Sequence, residues 1–561
     1  MATIVRRQPK GCPEPVYYYH ETYRVKVSSS QNGKRPGSGK SKVKSRDIYL
    51  GTASQVLRKL QQGQRPQEVE KKEFGLVCAA LRVAEEIGLV EVIDANVPKR
   101  RQGLTVGQYI LIGVLNKITS PTSRSGIKDW VKRTVLPERL GIDPDLLTSQ
   151  NFWDHFDLIM SENELKQNKA RLANGEISED QLFNDDVIYR IEEGIWKRVL
   201  DIYHVPLDCM LYDTTNFFSF MSPTTGSFLA RTGHNKHGRH NLRQVGLGMA
   251  VTKEAALPVL HFLYHGRRHD AKLFPEAMTD LVERYLKLSR GTTKLTVIFD
   301  KGNNSEDNIK KAGELELRIV GSLVPSHHRD LTGVRLSRYS DTVDSYPVYT
   351  TKKDVFGVPV KIAVVYNDAT YRRQKRRLRS KIEELRAQLK DCFKANKDRS
   401  KEEIEAALHD LIHGSEYARY LDIQVEGRRY KRLCCTINLK NYRDKLRTFG
   451  KTIIFTNDLN LPTNELVKLY MGKYVIEEQF KELNNPDAIA FRPMYHWTDT
   501  KIKVYALMCV LALLVLQLMN YRARRFGLRM SNEVLRNELA DIVEVVLIYS
   551  LAQVQKQLSS M

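Results

Sequence analysis

At 561 residues the chain is long enough to bury a substantial core and to divide into three or four units, with the balance of a soluble protein at 42% hydrophobic and 28% charged residues. Lys and Arg number 89 against 66 Asp and Glu, a net +23 that points to a polyanionic partner, although ribosomal and membrane-surface proteins share such an excess. The seven cysteines (Cys12, Cys78, Cys209, Cys392, Cys434, Cys435, Cys509) are odd in number and form no CxxC pair, which argues against a zinc ribbon or a secreted disulfide scaffold and for a reducing compartment.

The N-terminus, MATIVRRQPKG, has no apolar segment of the secretory type. Residues 1–60 read as a β-hairpin, YYYHETYRVKV and VKSRDIYLG, around a basic Gly/Ser-rich loop, SSSQNGKRPGSGKSK. Gly39-Lys40-Ser41 is not a P-loop, because the first glycine that motif requires falls at Lys34, so no nucleotide cofactor is expected. Residues 61–200 are predicted to be helical, with apolar i, i+3, i+4 spacing at 74–87 and 106–118. Between these helices SPTSRSGIKDWVKR and TSQNFWDHFDLI mix Arg, Lys, Trp and Ser, as a DNA-end-binding region does and as any helical scaffold also can.

From 207 the period becomes that of strands. Residues 207–212 (LDCMLY) run as a buried strand into Asp213, and 244–251 and 258–263 are two more strands around a turn. An amphipathic helix at 270–288, a fourth strand at 294–299 ending at Asp300, a short helix at 305–314 and a fifth strand at 318–323 follow. This is a mixed sheet with helices on its faces, in which polar residues at strand ends gather at one edge. Asp213 and Asp300 are therefore candidate neighbours across 87 positions (300 − 213).

Residues 324–456 interrupt the pattern as an insertion with strands at 348–351, 358–365 and 432–439 and a long charged helical section at 371–413. That section opens with RRQKRRLR at 372–379; a charge run of this kind is ordinarily a solvated face, and the alternative is an arm that tracks DNA. After a strand at 452–455, residues 469–485 (LYMGKYVIEEQFKELNN) read as one helix with two faces. Ile476, Phe480 and Leu483 form an apolar stripe, and Tyr470, Lys473, Glu477, Lys481 and Asn484 follow the same period beside it. Residues 504–516 are apolar but shorter than the roughly 20 residues of a membrane span, so a buried helix and no membrane partner are expected there. Residues 521–561 carry a basic patch, YRARRFGLR, and a C-terminal helix.

Two strand-end aspartates and a helix-borne glutamate are hard oxygen donors of the kind Mg²⁺ prefers, and phosphodiester transfer without a covalent enzyme intermediate uses two such ions about 4 Å apart. LYDTTNFF, VIFDKGNNSEDNI and LYMGKYVIEEQFKELNNPDAIAFRPMYH resemble the three catalytic blocks of bacterial insertion-sequence transposases of the DDE type. The nearest branch reads Tyr-x2-Arg-x3-Glu-x6-Lys in its third block. Tyr470 and Glu477 match it, Lys473 stands at the arginine position and Asn484 at the lysine position.

The resemblance spans roughly 200–540 and implies an α/β fold. Its RNase H-like mixed-sheet catalytic core would occupy 201–323 and 457–520, with a β-rich plus helical insertion at 324–456 and a mostly helical DNA-binding region before it. It further implies Asp213, Asp300 and Glu477 as catalytic metal ligands for two Mg²⁺ ions, with Mn²⁺ able to substitute. Tyr470 and Lys473 would contact the DNA end, with Lys481 and Asn484 farther along the same face. The implied partners are double-stranded DNA, as terminal inverted repeats and as target, and further copies of the chain in a dimer or larger synaptic assembly. The implied setting is the bacterial cytoplasm, on nucleoid DNA, and the implied reaction is cut-and-paste transposition. Lysine lacks the bidentate fork of arginine and Asn484 lacks charge, so a catalytically silent DNA-binding protein and a metal-dependent nuclease without strand transfer remain as alternative readings.

His234, His237 and His240 lie three apart in a basic loop without a nearby cysteine and are read as structural or DNA-facing. His409 and His413 are spaced i, i+4 without the glutamate of a zincin, and His240–Arg243 matches only the short HxxR fragment of tyrosine recombinases. Glu478 points about 100° round the helix from Glu477 and away from the Tyr470–Lys473 stripe.

Overall fold

The computed structural model describes residues 2–8, 16–26, 41–52, 54–55, 58, 68–98, 103–222, 225–233, 242–268, 270–289, 295–427, 430–491 and 498–548. The Gly39-Lys40 pair and the three histidines at 234, 237 and 240 lie outside them. At the N-terminus β1 (Ala2–Arg7), β2 (Val16–Lys26) and β3 (Ser41–Thr52) form an antiparallel sheet, so the expected hairpin gains a third strand. β4 (Glu68–Glu73) then opens the region expected to be wholly helical. The helices that follow start where the local chemistry directs. Thr105 and Gln108 make a reciprocal capping box for Val106–Thr119, and Ser161 caps Glu162–Ala173.

The central sheet has ten strands. In chain order they are β5 (Cys209–Ser219), β6 (Arg231–Thr232), β7 (Arg243–Thr252), β8 (Pro258–His265), β9 (Thr296–Phe299), β10 (Arg318–Leu323), β11 (Asp341–Val343), β12 (Tyr346–Val355) and β13 (Val358–Tyr366). After a separate hairpin, β14 (Leu421–Glu426) and β15 (Arg432–Ile437), the sheet is completed by β16 (Lys451–Thr456). The spatial order is β11-β12-β13-β16-β10-β9-β5-β7-β6, with β8 sharing an edge of β7. β5, β9 and β10 are mutually parallel and the other pairings are antiparallel. In β7, Gly246 and Gly248 let the rings of Tyr264 and Phe262 on β8 lie against the strand, where an added Cβ would approach them to 2.1 and 2.2 Å.

The expected insertion at 324–456 is not one separate body. β11, β12, β13 and β16 extend the central sheet, because their apolar faces (Val348, Val360, Ile362, Val364, Ile453, Phe455) join the main core. The portion with its own core is shorter and centres on the helices Asp368–Ala395 and Lys401–Ile412. Leu378, Ile382, Leu385 and Leu389 meet Ile404, Leu408, Val425 and Phe449 there. The single helical section expected at 371–413 is thus two helices, the second begun by a Ser400–Glu403 capping box.

The apolar segment expected at 504–516 is the middle of a longer helix, Asp499–Arg525, buried throughout 499–520 against Gly75–Glu86, Val106–Thr119, Ser149–Ile159 and β8. It has the length and apolar content of a membrane span, yet it is wrapped by protein and begins with buried charges. Beyond it the expected C-terminal helix is Asn532–Ala540, followed by β17 (Val543–Ile548), which pairs antiparallel with β4 from the far end of the chain.

Candidate active site

The site forms where a short strand lies between two longer ones. β9 has four residues, whereas β5 and β10 on either side have 11 and six. The last β5–β9 pair is Tyr212 with Phe299, and the last β10–β9 pair is Val320 with Ile298. Past these pairs β9 stops and its neighbours continue, leaving a notch at the carboxyl end of the parallel strands. Asp213 and Asp300 are the next residues after Tyr212 and Phe299 on adjacent strands. Asp213 is therefore within β5 as a strand, where it faces Met249 of β7, but at the end of its pairing with β9. Its Oδ1 accepts the Thr214 N–H at 2.8 Å.

The segment expected as one helix over 469–485 is two, Thr463–Met471 and Tyr474–Asn484. At Gly472 and Lys473 the bonding tightens from i−4 to i−3: Lys473 N–H donates to Tyr470 O, Val475 N–H to Gly472 O and Ile476 N–H to Lys473 O. The first helix packs on β10 and β16 and the second on β5 and the buried Asp499–Arg525 helix. The break puts Lys473 at the junction and Glu477 in the first turn of the second helix, where the helix dipole favours an anion.

Lys473 is the residue that joins the predicted site. Its Nζ lies 3.0 Å from Asp300 Oδ1, 3.6 Å from Glu477 Oε1 and 5.6 Å from the centre of the Tyr470 ring. Burial pushes the Asp300 carboxyl up, but the Lys473 ammonium and the Lys301 N–H outweigh it and hold the group below the usual aspartate range. The Lys473 ammonium is likewise held above its ordinary value, because the surrounding Tyr470, Asp300 and Glu477 outweigh its burial.

The remaining predicted contacts are placed differently. Tyr470 is 5% exposed and its hydroxyl donates to Ser322 Oγ at 2.6 Å, so that hydroxyl joins the first helix to β10. Lys481 is exposed and pairs with Glu478 at 3.0 Å. Asn484 donates to Phe480 O at 2.8 Å, and its Oδ1 is buried without a hydrogen-bond partner.

For a divalent cation the donor chemistry fits: Asp213, Asp300 and Glu477 are hard oxygen ligands, and Asn303 and Asn304 add buried Oδ1 atoms that receive no hydrogen bond. The spacing is another matter, since among the described residues no three His, Cys, Asp or Glu side chains are gathered closely enough to hold an ion. Two of the three expected carboxylates, Asp300 and Glu477, meet on the Lys473 ammonium. The physical reason is that facing carboxylates repel and Lys473 neutralises the pair.

A cavity of about 530 Å³ opens beside this cluster, lined by Asp300, Tyr470 and Lys473 together with Lys301, Lys445 and Lys451. A larger one of about 750 Å³, between β8 and the Asp270–Leu288 helix, touches none of the three carboxylates. Sequence reasoning missed Ser322, Lys301, Lys445 and Lys451. Lys301 adjoins a predicted acid and was open to notice, whereas the others reach the cavity only through strand pairing and the return of the insertion.

No protein-family model and no curated protein matches the chain. Among solved structures it is similar to a piggyBac transposase in a synaptic complex with hairpin DNA. The identity is 10% and the TM-score 0.37, over 84% of this chain and 82% of that one. At that identity the likeness carries no individual residue of the site across.

Proposed function

We propose that the protein is a DDE-type transposase with an RNase H-like core, which cuts DNA at element ends and joins them to target DNA. The observation that carries this reading is the placement of Asp213 and Asp300 one position beyond a paired Tyr212 and Phe299, with Lys473 linking Asp300 to Glu477. Asp213 lies on β5, the first strand of the central sheet, Asp300 directly after β9, and Glu477 on a helix beyond the inserted segment. Asp213, Asp300 and Glu477 would hold the divalent ions, Mg²⁺ or Mn²⁺, whose chemistry is to activate an attacking oxygen and stabilise the leaving one. The chain's own residues do the rest. Lys473 keeps Asp300 charged and lies between it and Glu477, and on leaving them it is free to meet a phosphate. Lys301, Lys445 and Lys451 make the adjoining cavity attractive to a phosphodiester backbone. The working assembly would be a dimer or larger, on DNA in the bacterial cytoplasm.

A second reading, a DNA-binding protein without catalysis, is favoured by one observation: the Lys473 ammonium stands between the two acids a cation would bridge. Purified protein, Mg²⁺ and labelled DNA from the two flanks of the gene distinguish the readings. Joined products support transposition, cuts alone a nuclease and binding alone the silent protein. Asp213→Asn should abolish cutting and leave binding nearly intact; loss of both together would make Asp213 structural.

A further inference from the structure

The basic run at 372–379 occupies the first half of the Asp368–Ala395 helix and is exposed apart from Leu378. At 100° per residue, Leu378, Ile382, Leu385 and Leu389 fix the face turned to the second core, and Arg373 and Arg376 point to the opposite side with Arg377 on the flank. Arg372 and Arg379 pair with Asp368 and Glu383 on their own helix. Arg373, Arg376 and Arg377 have no carboxylate partner among the described residues.

Holding these charges together is unfavourable in the isolated chain. Arg372–Arg376, Arg373–Arg377, Lys375–Arg379 and Arg377–Lys381 are like-charge i, i+4 pairs, and all lie toward the helix end that already carries positive dipole. The helix is also anchored beside the candidate site. Gln374 Oε1 accepts the Gly450 N–H at 2.8 Å, and Gln374 lines the same cavity as Asp300 and Lys473. Lys301, Lys445, Lys451 and Lys473 line that cavity, so the helix that carries the exposed arginines reaches, through Gln374, a cavity rich in positive charge.

We propose that the face carried by Arg373, Arg376 and Arg377 binds the phosphate backbone of a DNA duplex and leads it toward the cavity at Asp300. The destination rests on the reading of Asp300 as part of a DNA-processing site; the binding does not. The test uses the full chain, a fluorescent duplex of mixed sequence and no divalent ion, with affinity followed across a salt series. Arg373→Ala/Arg376→Ala/Arg377→Ala should bind roughly tenfold or more weakly, with a log–log salt slope shallower by about 0.9 for each phosphate the variant no longer neutralises. The corresponding triple Lys variant should keep the slope, and the melting temperature of the Ala variant should be unchanged or higher because like charges have been removed. Unchanged affinity and slope in the Ala variant would overturn the proposal, as would tighter binding of a single-stranded RNA through the same residues. Since no cleavage is read, a protein that binds through this face and never cuts would retire the catalytic reading and leave this one standing.

Discussion

The Nζ of Lys473 lies 3.0 Å from Oδ1 of Asp300, a contact that ties the junction of two helices to the end of the shortest strand in the parallel part of the sheet. The same ammonium reaches Glu477 at 3.6 Å, so one positive charge holds two acids. Lys473→Met should destabilise the protein by about 0.5–1 kcal/mol, the range for a partly exposed pair. The two acids, left facing each other, should then bind Mg²⁺ more tightly. Thermal melting with and without Mg²⁺ checks this: the ion should raise the melting temperature of the variant more than that of the unaltered protein. An equal or smaller gain contradicts it.

Tyr470 is predicted to be structural through its hydroxyl. Tyr470→Phe removes the 2.6 Å bond to Ser322 and should cost about 1 kcal/mol, seen as a lower denaturation midpoint. If the midpoint stays put while DNA cleavage is lost, the hydroxyl works on DNA instead.

Asp499 anchors the start of the buried helix. It is 1% exposed and accepts Ser227 Oγ at 2.6 Å, the N–H groups of Phe228 and Leu229 at 2.9 and 3.0 Å, and Lys169 Nζ at 3.2 Å. Asp499→Ala strands several buried donors and should cost about 3–5 kcal/mol in urea unfolding. A loss below about 1 kcal/mol would mean that water or a rearranged loop replaces the carboxylate.

Glu192 should make the fold sensitive to acid. Burial pushes its carboxyl up, but His261 at 2.5 Å and Arg284 at 2.6 Å outweigh burial and hold it below the usual glutamate range. A carboxyl lowered on folding stabilises the native state fully above its unfolded pKa of about 4.3, and that contribution is lost as the pH falls through the folded value. Glu192→Gln should flatten stability against pH below about 4.3 and, by leaving Asp280 as the one carboxylate on buried Arg284, cost about 1.5–3 kcal/mol at neutral pH. Parallel acid limbs for the two proteins would contradict this.

Local order was legible where the chain's period is uninterrupted. Residues 318–323 are the strand β10 and 270–288 the helix Asp270–Leu288, because strand and helix patterns run there from turn to turn. The placement of Asp300 directly after a strand follows from the apolar run TVIF. The break at Gly472 was not legible, since a single glycine in a helical pattern is tolerated and only packing on two different parts of the sheet rotates the second helix. Long-range pairing was hidden as well: β4 and β17 meet from opposite ends of the chain, and nothing in EVEKKE names its partner. The role of Asp499 was not legible either, because its partners Ser227, Phe228 and Leu229 lie 270 or more positions earlier in the sequence. The arrival of Lys445 and Lys451 beside Asp300 likewise depends on β16 returning between β13 and β10.

The central claim, that Asp213, Asp300 and Glu477 act as one cation-binding set, is tested most directly by a structure of the protein with Mn²⁺ and a DNA end, the ions being located by anomalous scattering. The account predicts manganese ligated by oxygens of all three residues, with the Lys473 ammonium moved off Asp300 and onto a phosphate. Manganese absent from Asp213, with Lys473 still seated between Asp300 and Glu477, would contradict it.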